Sequence, residues 1–169
     1  MSANKHKSQG GAAMVEMALV LSLFMLITFG IIEFALAYFT WHRASEGARE
    51  GLRYAIVSSP ATGSPLGLTC PGGQVTVTCN TAACAPILNR INRVAPFVSG
   101  DQVAIRYACS TAGNPERPAD IAIPEISIEV TGLSYTFAVP GILGLGTTLQ
   151  LPDVRASRTG EDLFTPAGE

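Results

Sequence analysis

MALVLSLFMLITFGII, residues 17–32, is a run of sixteen positions without a charge, and EFALAYF at 33–39 carries it on across one acid, Glu33. Read across that acid, the stretch exceeds the about 20 helical residues that cross roughly 30 Å of hydrocarbon. The pattern does not stop at Phe39. Across residues 40–57, Trp41, Ala44, Ser45, Ala48, Leu52, Ala55 and Ile56 fall on one helical face, and His42, Arg43, Glu46, Arg49, Glu50 and Arg53 on the other. Glu46–Arg49 and Glu50–Arg53 are i,i+3 pairs of opposite sign, each contributing a few tenths of a kcal/mol. No proline occurs before Pro60. The reading is one helix over 13–57, on the order of 65 Å long at 1.5 Å per residue. That is about twice what a bilayer needs, so the second half is expected to lie on a domain outside the membrane.

Working back from the apolar run, residues 1–11, MSANKHKSQGG, are polar, weakly cationic and end in Gly10-Gly11. They read as a leader and not as part of a fold. Small residues at Gly11 and Ala12 mark a candidate cut. Glu16, five residues past it, stands on the threshold of the apolar helix. An acid there is costly to bury and is a functional candidate by default, although a carboxylate near a helix N-terminus is also favoured by the helix dipole. A rival cut lies at Ala35-Leu36-Ala37, a small-x-small pattern after a basic start and an apolar stretch, as in a secretory signal. Against it, the uncharged run exceeds the usual 7–15-residue signal core, and helical periodicity runs through the site. Glu33 is expected near the outer interface, partly hydrated, in preference to a contact with a partner helix. Ala44, Ala48 and Gly51 permit close helix approach, either to another subunit or to the chain's own sheet.

Beyond the helix, SSPATGSPLG at 58–67 is a loop by composition. Val75, Val77 and Cys79 alternate as a short strand, 81–94 reads as a helix with Pro86 in its first turn, and 103–109 reads as a second strand. Residues 110–124 are a loop. Ile126, Ile128 and Val130 are apolar on even positions. After Gly132 the apolar set moves to the odd positions Leu133, Tyr135, Phe137 and Val139. Leu149 and Leu151, then Val154 and Ala156 after Pro152, reverse that flip. The two segments are expected to form a hairpin around 140–146, with paired irregularities that keep one face buried.

Composition narrows the function. Charged residues are 14% of 169 and the net charge is -2, with no basic block beyond the leader, which disfavours nucleic acid as a partner. Lys5, His6 and Lys7 before the span nearly balance Arg43, Arg49 and Arg53 after it, so charge alone does not orient the helix. Cys70, Cys79, Cys84 and Cys109 all follow the span. Their even number suits disulfides in an oxidising compartment and places residues 58–169 outside the inner membrane. Of the three pairings, Cys70–Cys79 around a Pro-Gly-Gly loop with Cys84–Cys109 is preferred; four buried thiols is the other reading. No Cys-x-x-Cys is present and both histidines are remote from the cysteines, so no metal site is expected. No nucleophile elbow, phosphate loop or cofactor motif occurs, and no enzyme or cofactor is expected. Carboxylates alone can hydrolyse glycosides, and an acid pair could lie among Asp101, Asp120, Glu125, Glu129 and Asp153; Glu129 reads better as a solvent-face strand residue.

The join at Gly11, Ala12 and Glu16 resembles the processing site of type IV prepilins, where a membrane peptidase cuts after the Gly and the Glu at the fifth mature position serves assembly. ASEGAREGLRYA at 44–55 is similar to the segment that follows the membrane helix in TadE-like proteins of tight-adherence, or Flp, pilus systems; Leu52 stands where Ala is common. Gly10 to Ile32 resembles that family's membrane segment, and the late strands ending near Arg155 and Arg158 are similar in pattern only. The resemblance implies a minor pilin or pseudopilin that works with prepilin peptidase, other pilus subunits and an inner-membrane assembly platform. The expected organisation is α+β: a leader at 1–11, a transmembrane helix at 12–39 in contact with lipid, an amphipathic extension at 40–57, and an extracytoplasmic domain at 58–169 with three or four mostly antiparallel strands and one more helix. The alternative is a membrane-anchored or secreted binding module, uncut or cut by signal peptidase after Ala37.

Overall fold

The computed structural model describes residues 10–62, 68, 72–109, 124–142, 144 and 146–160. Residues 1–9 of the expected leader at 1–11, Cys70 and residues 110–123 of the loop expected at 110–124 lie outside the described residues. The first helix, α1, runs unbroken over Gly10–Ala55. It closes with Ile56 N–H donating to Leu52 O at 3.1 Å, before the Ser58-Ser59-Pro60 turn. Strand β1 is Gln74–Thr78, followed by a single 3-10 turn at Ala82–Cys84. Helix α2 is Ala85–Val94 with proline in its first turn. That position wastes no hydrogen bond, since the first N–H groups of a helix have no internal acceptor.

Strands β2 (Val103–Cys109), β3 (Pro124–Val130) and β6 (Val154–Thr159) join β1 in a four-stranded sheet of order β1-β2-β3-β6. Every neighbouring pair is antiparallel. One face is apolar and fully buried through Val103, Ile105, Tyr107, Ile126, Ile128 and Val130. Helices α1 and α2 lie on it and on each other. The architecture is α+β, as expected: a long helix whose outer half packs on a small antiparallel sheet.

The late hairpin has the expected paired break. β3 pairs with β6 up to Val130↔Val154. The short strands β4 (Ser134–Thr136) and β5 (Thr148–Gln150) then pair as a separate two-stranded ribbon. Between them Leu151 N–H donates to Leu133 O at 2.8 Å, and Gly132 has φ +69°, a backbone conformation that glycine adopts without a steric cost. Leu133 and Leu151 both return to the core. The expected strand through Phe137 and Val139 is corrected: residues Ala138–Ile142 form a short helix, α3, at the tip of the ribbon.

The cysteine pairing also differs from the expectation. Cys79 is bonded to Cys84, with Cα atoms 5.2 Å apart, and Cys109 is disulfide-bonded as well. Neither Cys70–Cys79 nor Cys84–Cys109 forms. The extended β1 carries Cys79 about 20 Å from Gly73 at roughly 3.4 Å per residue, to the end where Cys79 N–H meets Val103 O. Cys109 sits at the opposite end of the β1–β2 pair, beside Gly73. The 3-10 turn brings Cys84 back to Cys79 and leaves it a strand's length from Cys109.

Candidate assembly and membrane interface

Two halves of α1 have opposite surroundings. From Gly11 to Ile32 every side chain is exposed except Thr28, which is partly covered. From Glu33 onward a stripe of buried residues begins: Glu33, Ala37, Ala44, Ala48, Leu52 and Ala55. Residues 11–32 span about 33 Å at 1.5 Å per residue, close to the roughly 30 Å of a bilayer core. An 18-residue window of this helix has mean hydropathy 2.4, and α1 is the one helix among the described residues long and apolar enough to cross a membrane. A helix apolar on all sides must be covered by something other than water.

Gly11 and Ala12 lie in the first turn of α1, exposed. Glu16 is exposed one turn further on, with Met14, Val15, Met17 and Leu19 around it, all open to the surroundings. The structure places the three expected residues of the processing and assembly site on one uncovered end of the helix, away from the sheet domain.

Glu33 is not the hydrated bystander expected from sequence. It is 8% exposed. Its Oε1 accepts the backbone N–H groups of Ala138 and Val139, both at 2.7 Å. These are donors of the first turn of α3, which have no acceptor within the helix. The next residue, Pro140, has no N–H to offer. One carboxylate oxygen therefore satisfies both backbone donors that open this short helix, in charge-assisted bonds that are the stronger kind. The partner of Glu33 is its own chain, 105 residues away, and not a second helix.

Two further side chains of α1 grip main-chain atoms of the domain. Trp41 Nε1–H donates to Pro152 O at 3.1 Å. Arg43 Nε–H donates to Val94 O at 2.8 Å, placing a cation on the last carbonyls of α2, where the helix dipole favours it. Arg43 was expected on the solvent face; its guanidinium instead lies between Phe39 and Phe97, 5.8 and 6.0 Å from their ring centres. The predicted pairs Glu46–Arg49 and Glu50–Arg53 are present at 3.7 and 3.3 Å on the exposed face.

The small residues resolve in favour of the chain's own domain. Ala44 and Ala48 are fully buried. A Cβ on Gly51 would stand 2.6 Å from Ile91 Cγ1 and 3.4 Å from Ile128 Cδ1, so glycine is what lets α1 approach α2 and β3. This face is not open to another subunit. A different one is: Ile27, Gly30, Ile31, Phe34, Ala35 and Tyr38 line a shallow apolar groove on α1, and nothing stands within 4 Å of a Cβ on Gly30.

Of the acids weighed for hydrolysis, Glu125 and Glu129 point outward from β3 on the face away from the helices, and Glu129 is in register with Arg155. Asp153 is exposed beside Pro152, and Asp120 lies outside the described residues. No three His, Cys, Asp or Glu side chains cluster in a metal-holding arrangement among the described residues.

Residues 11–53 match the family model described as TadE-like protein. The match covers α1 almost end to end and stops before the sheet. No curated protein and no solved structure matches the chain.

Proposed function

We propose that this chain is a minor pilin or pseudopilin of a tight-adherence (Flp) pilus system, cut by prepilin peptidase between Gly11 and Ala12. The observation that carries the reading is the division of α1. An unsheathed apolar segment of about one bilayer thickness runs directly into a segment clasped by the chain's own sheet. Such a helix is held by lipid before assembly and leaves the membrane only by exchanging lipid for neighbouring helices, through the uncovered surface of residues 12–32 and the groove beside Gly30. Glu16 would be costly in that dry bundle unless paired. Cleavage creates a cationic amine at Ala12, and a neighbour's Glu16 neutralises it. The peptide bond to be cut lies in the first helical turn, whose N–H groups lack internal acceptors and which opens most easily.

The disulfide Cys79–Cys84 supports an oxidising compartment for the sheet domain, hence a single pass through the inner membrane with the C-terminal domain in the periplasm. A signal-peptidase cut after Ala37 fits poorly. That residue is mid-helix and 2% exposed, and the cut would remove Glu33 from α3.

The test uses cells carrying the whole system. Gly11→Asp is expected to leave a full-length, membrane-retained precursor. Glu16→Ala is expected to be cut normally and to lose co-purification with the main pilin. Normal assembly of Glu16→Ala would refute the amine–carboxylate pairing. A product of Gly11→Asp beginning at Tyr38 would establish the secretory reading in its place.

A further inference from the structure

The uncovered surface of α1 does not end at Ile32. Phe34, Leu36, Tyr38 and Phe39 are each at least half exposed. On this surface no Asp, Glu, Lys, Arg or His intervenes between Glu16 and His42, because Glu33 is turned inward to α3. From Met17 to Phe39 the helix measures about 34 Å at 1.5 Å per residue, enough for a tilted helix to cross one bilayer core. Tyr38 and Trp41 stand at its outer end, and these residue types favour the level of lipid headgroups.

One turn beyond Phe39 lies a cavity of about 390 Å³ whose lining includes Trp41, His42, Arg43, Glu46 and Arg49. Its charges are ordered by height. Arg43 comes about 6 Å beyond Phe39, within the roughly 5–7 Å depth of a headgroup layer. Its guanidinium is held in place: Nε–H is tied to Val94 O at 2.8 Å, and the group lies between the rings of Phe39 and Phe97. Among the described residues its terminal N–H groups have no hydrogen-bond partner. A guanidinium fixed at one edge presents a fork that suits two phosphate oxygens. His42 adds a ring N–H to the same cavity. Glu46 stands about 4.5 Å further out, paired with Arg49 at 3.7 Å where both side chains are exposed. A pair of that kind holds weakly, so Glu46 is able to change partners.

A cationic patch alone would take any anionic lipid. Glu46 in the same cavity disfavours a headgroup whose only charge is its phosphate and favours one that ends in a cation. An ammonium with N–H groups meets a carboxylate in charge-assisted hydrogen bonds; a trimethylammonium has no N–H to give. We propose that this cavity binds the headgroup of an outer-leaflet phospholipid with a primary amine, a phosphoethanolamine: its phosphate lies on Arg43 and His42, and its ammonium displaces Arg49 from Glu46. The inference rests on the membrane-spanning reading of α1 and goes beyond it by naming the lipid. Because Arg43 also holds the end of α2, a headgroup seated there ties the sheet domain, as well as the helix, to the membrane surface.

Trp41 is the one tryptophan of the chain and lines the cavity, so it is the reporter. The full chain is reconstituted in phosphatidylcholine vesicles. A minor fraction of lipid brominated near the headgroup end of the acyl chain is included, carrying phosphoethanolamine, phosphocholine or phosphoglycerol. Quenching of Trp41 at equal mole fraction reports which headgroup collects beside it. The phosphoethanolamine lipid is expected to be preferred over the other two by roughly 1.5- to 5-fold, the strength of an exposed ion pair. Glu46→Gln should abolish that preference. Arg49→Gln should increase it, because Glu46 loses its competing partner. Both positions are exposed on α1, and an unchanged denaturation midpoint verifies that the fold is kept. A brominated diacylglycerol, which lacks the phosphate, should quench least. A plain basic patch behaves in the opposite way: phosphoglycerol leads, and Arg49→Gln weakens it. That result, equal quenching by the three headgroups, or quenching by the diacylglycerol as strong as by the phosphoethanolamine lipid overturns the inference. Equal displacement by soluble glycerophosphoethanolamine at the same total concentration would make the ligand a free phosphate compound and also overturns it. If the chain does not float with the vesicles, the spanning reading itself fails; if it floats and the headgroup makes no difference, only the headgroup site fails.

Discussion

Removing the Glu33 carboxylate tests the clasp between helix and ribbon. In Glu33→Ala the Ala138 and Val139 N–H groups lose their acceptor in a site that is 8% exposed at the carboxylate. Leaving a buried donor unpaired costs about 1–3 kcal/mol, so two donors cost about 2–6 kcal/mol. At about 1.4 kcal/mol per tenfold, the opening equilibrium of α3 rises by roughly one and a half to four powers of ten. Glu33→Gln keeps a carbonyl oxygen in the same place and gives up only the charge assistance. Charged bonds contribute about 1.5–3 kcal/mol and neutral ones about 0.5–1.5, so this variant should fall between wild type and Glu33→Ala. Amide hydrogen exchange of Ala138 and Val139 in lipid nanodiscs reads the opening directly. Exchange of the β2–β3 amides serves as the internal control, because the two hydrogen bonds of Glu33 go to α3 and not to the main sheet. If Ala138 and Val139 are as protected in Glu33→Ala as in wild type, the carboxylate does not hold α3 and the reasoning fails.

Gly51→Leu should separate the helix from the domain, since even a Cβ would press within 2.6 Å of Ile91. Overpacking of this kind costs about 1–3 kcal/mol, measurable as a lower denaturation midpoint, while membrane insertion of residues 11–32 should be unaffected. Tyr107→Phe should destabilise by about 1–3 kcal/mol, because the buried Tyr107 hydroxyl is the acceptor for Ala61 N–H at 2.9 Å. Burial also raises the Tyr107 pKa above the usual phenol value, against a smaller lowering by that hydrogen bond. The folded state then holds this proton more tightly than the unfolded state, so its contribution is full below about pH 10 and declines as pH rises above it; the variant should show a shallower alkaline loss in unfolding titrations.

The long helix was legible because its signals are redundant: an uncharged run, no proline before Pro60, and amphipathic spacing after residue 40. The sheet was legible from alternation, and the paired flips at Gly132 and Pro152 correctly located the break in the hairpin. Phe137 and Val139 misled because their odd spacing fits a strand as well as it fits the entry to a short helix. Pro140 was the available signal, since proline favours the first turn of a helix. Glu33 was legible as an acid in the wrong place but not as a cap, because its partners are main-chain N–H groups that leave no trace in the residue types of 138 and 139. The cysteine pairing failed for a related reason. Sequence separation favoured one loop, and the length of β1 carried Cys79 to the other end of the sheet.

The measurement closest to the central claim is the intact mass of the chain recovered from cells that carry the complete pilus system. The account predicts one mature species beginning at Ala12, with Glu16 as its fifth residue and all four cysteines oxidised. A chain beginning at Met1 or Tyr38 would contradict it.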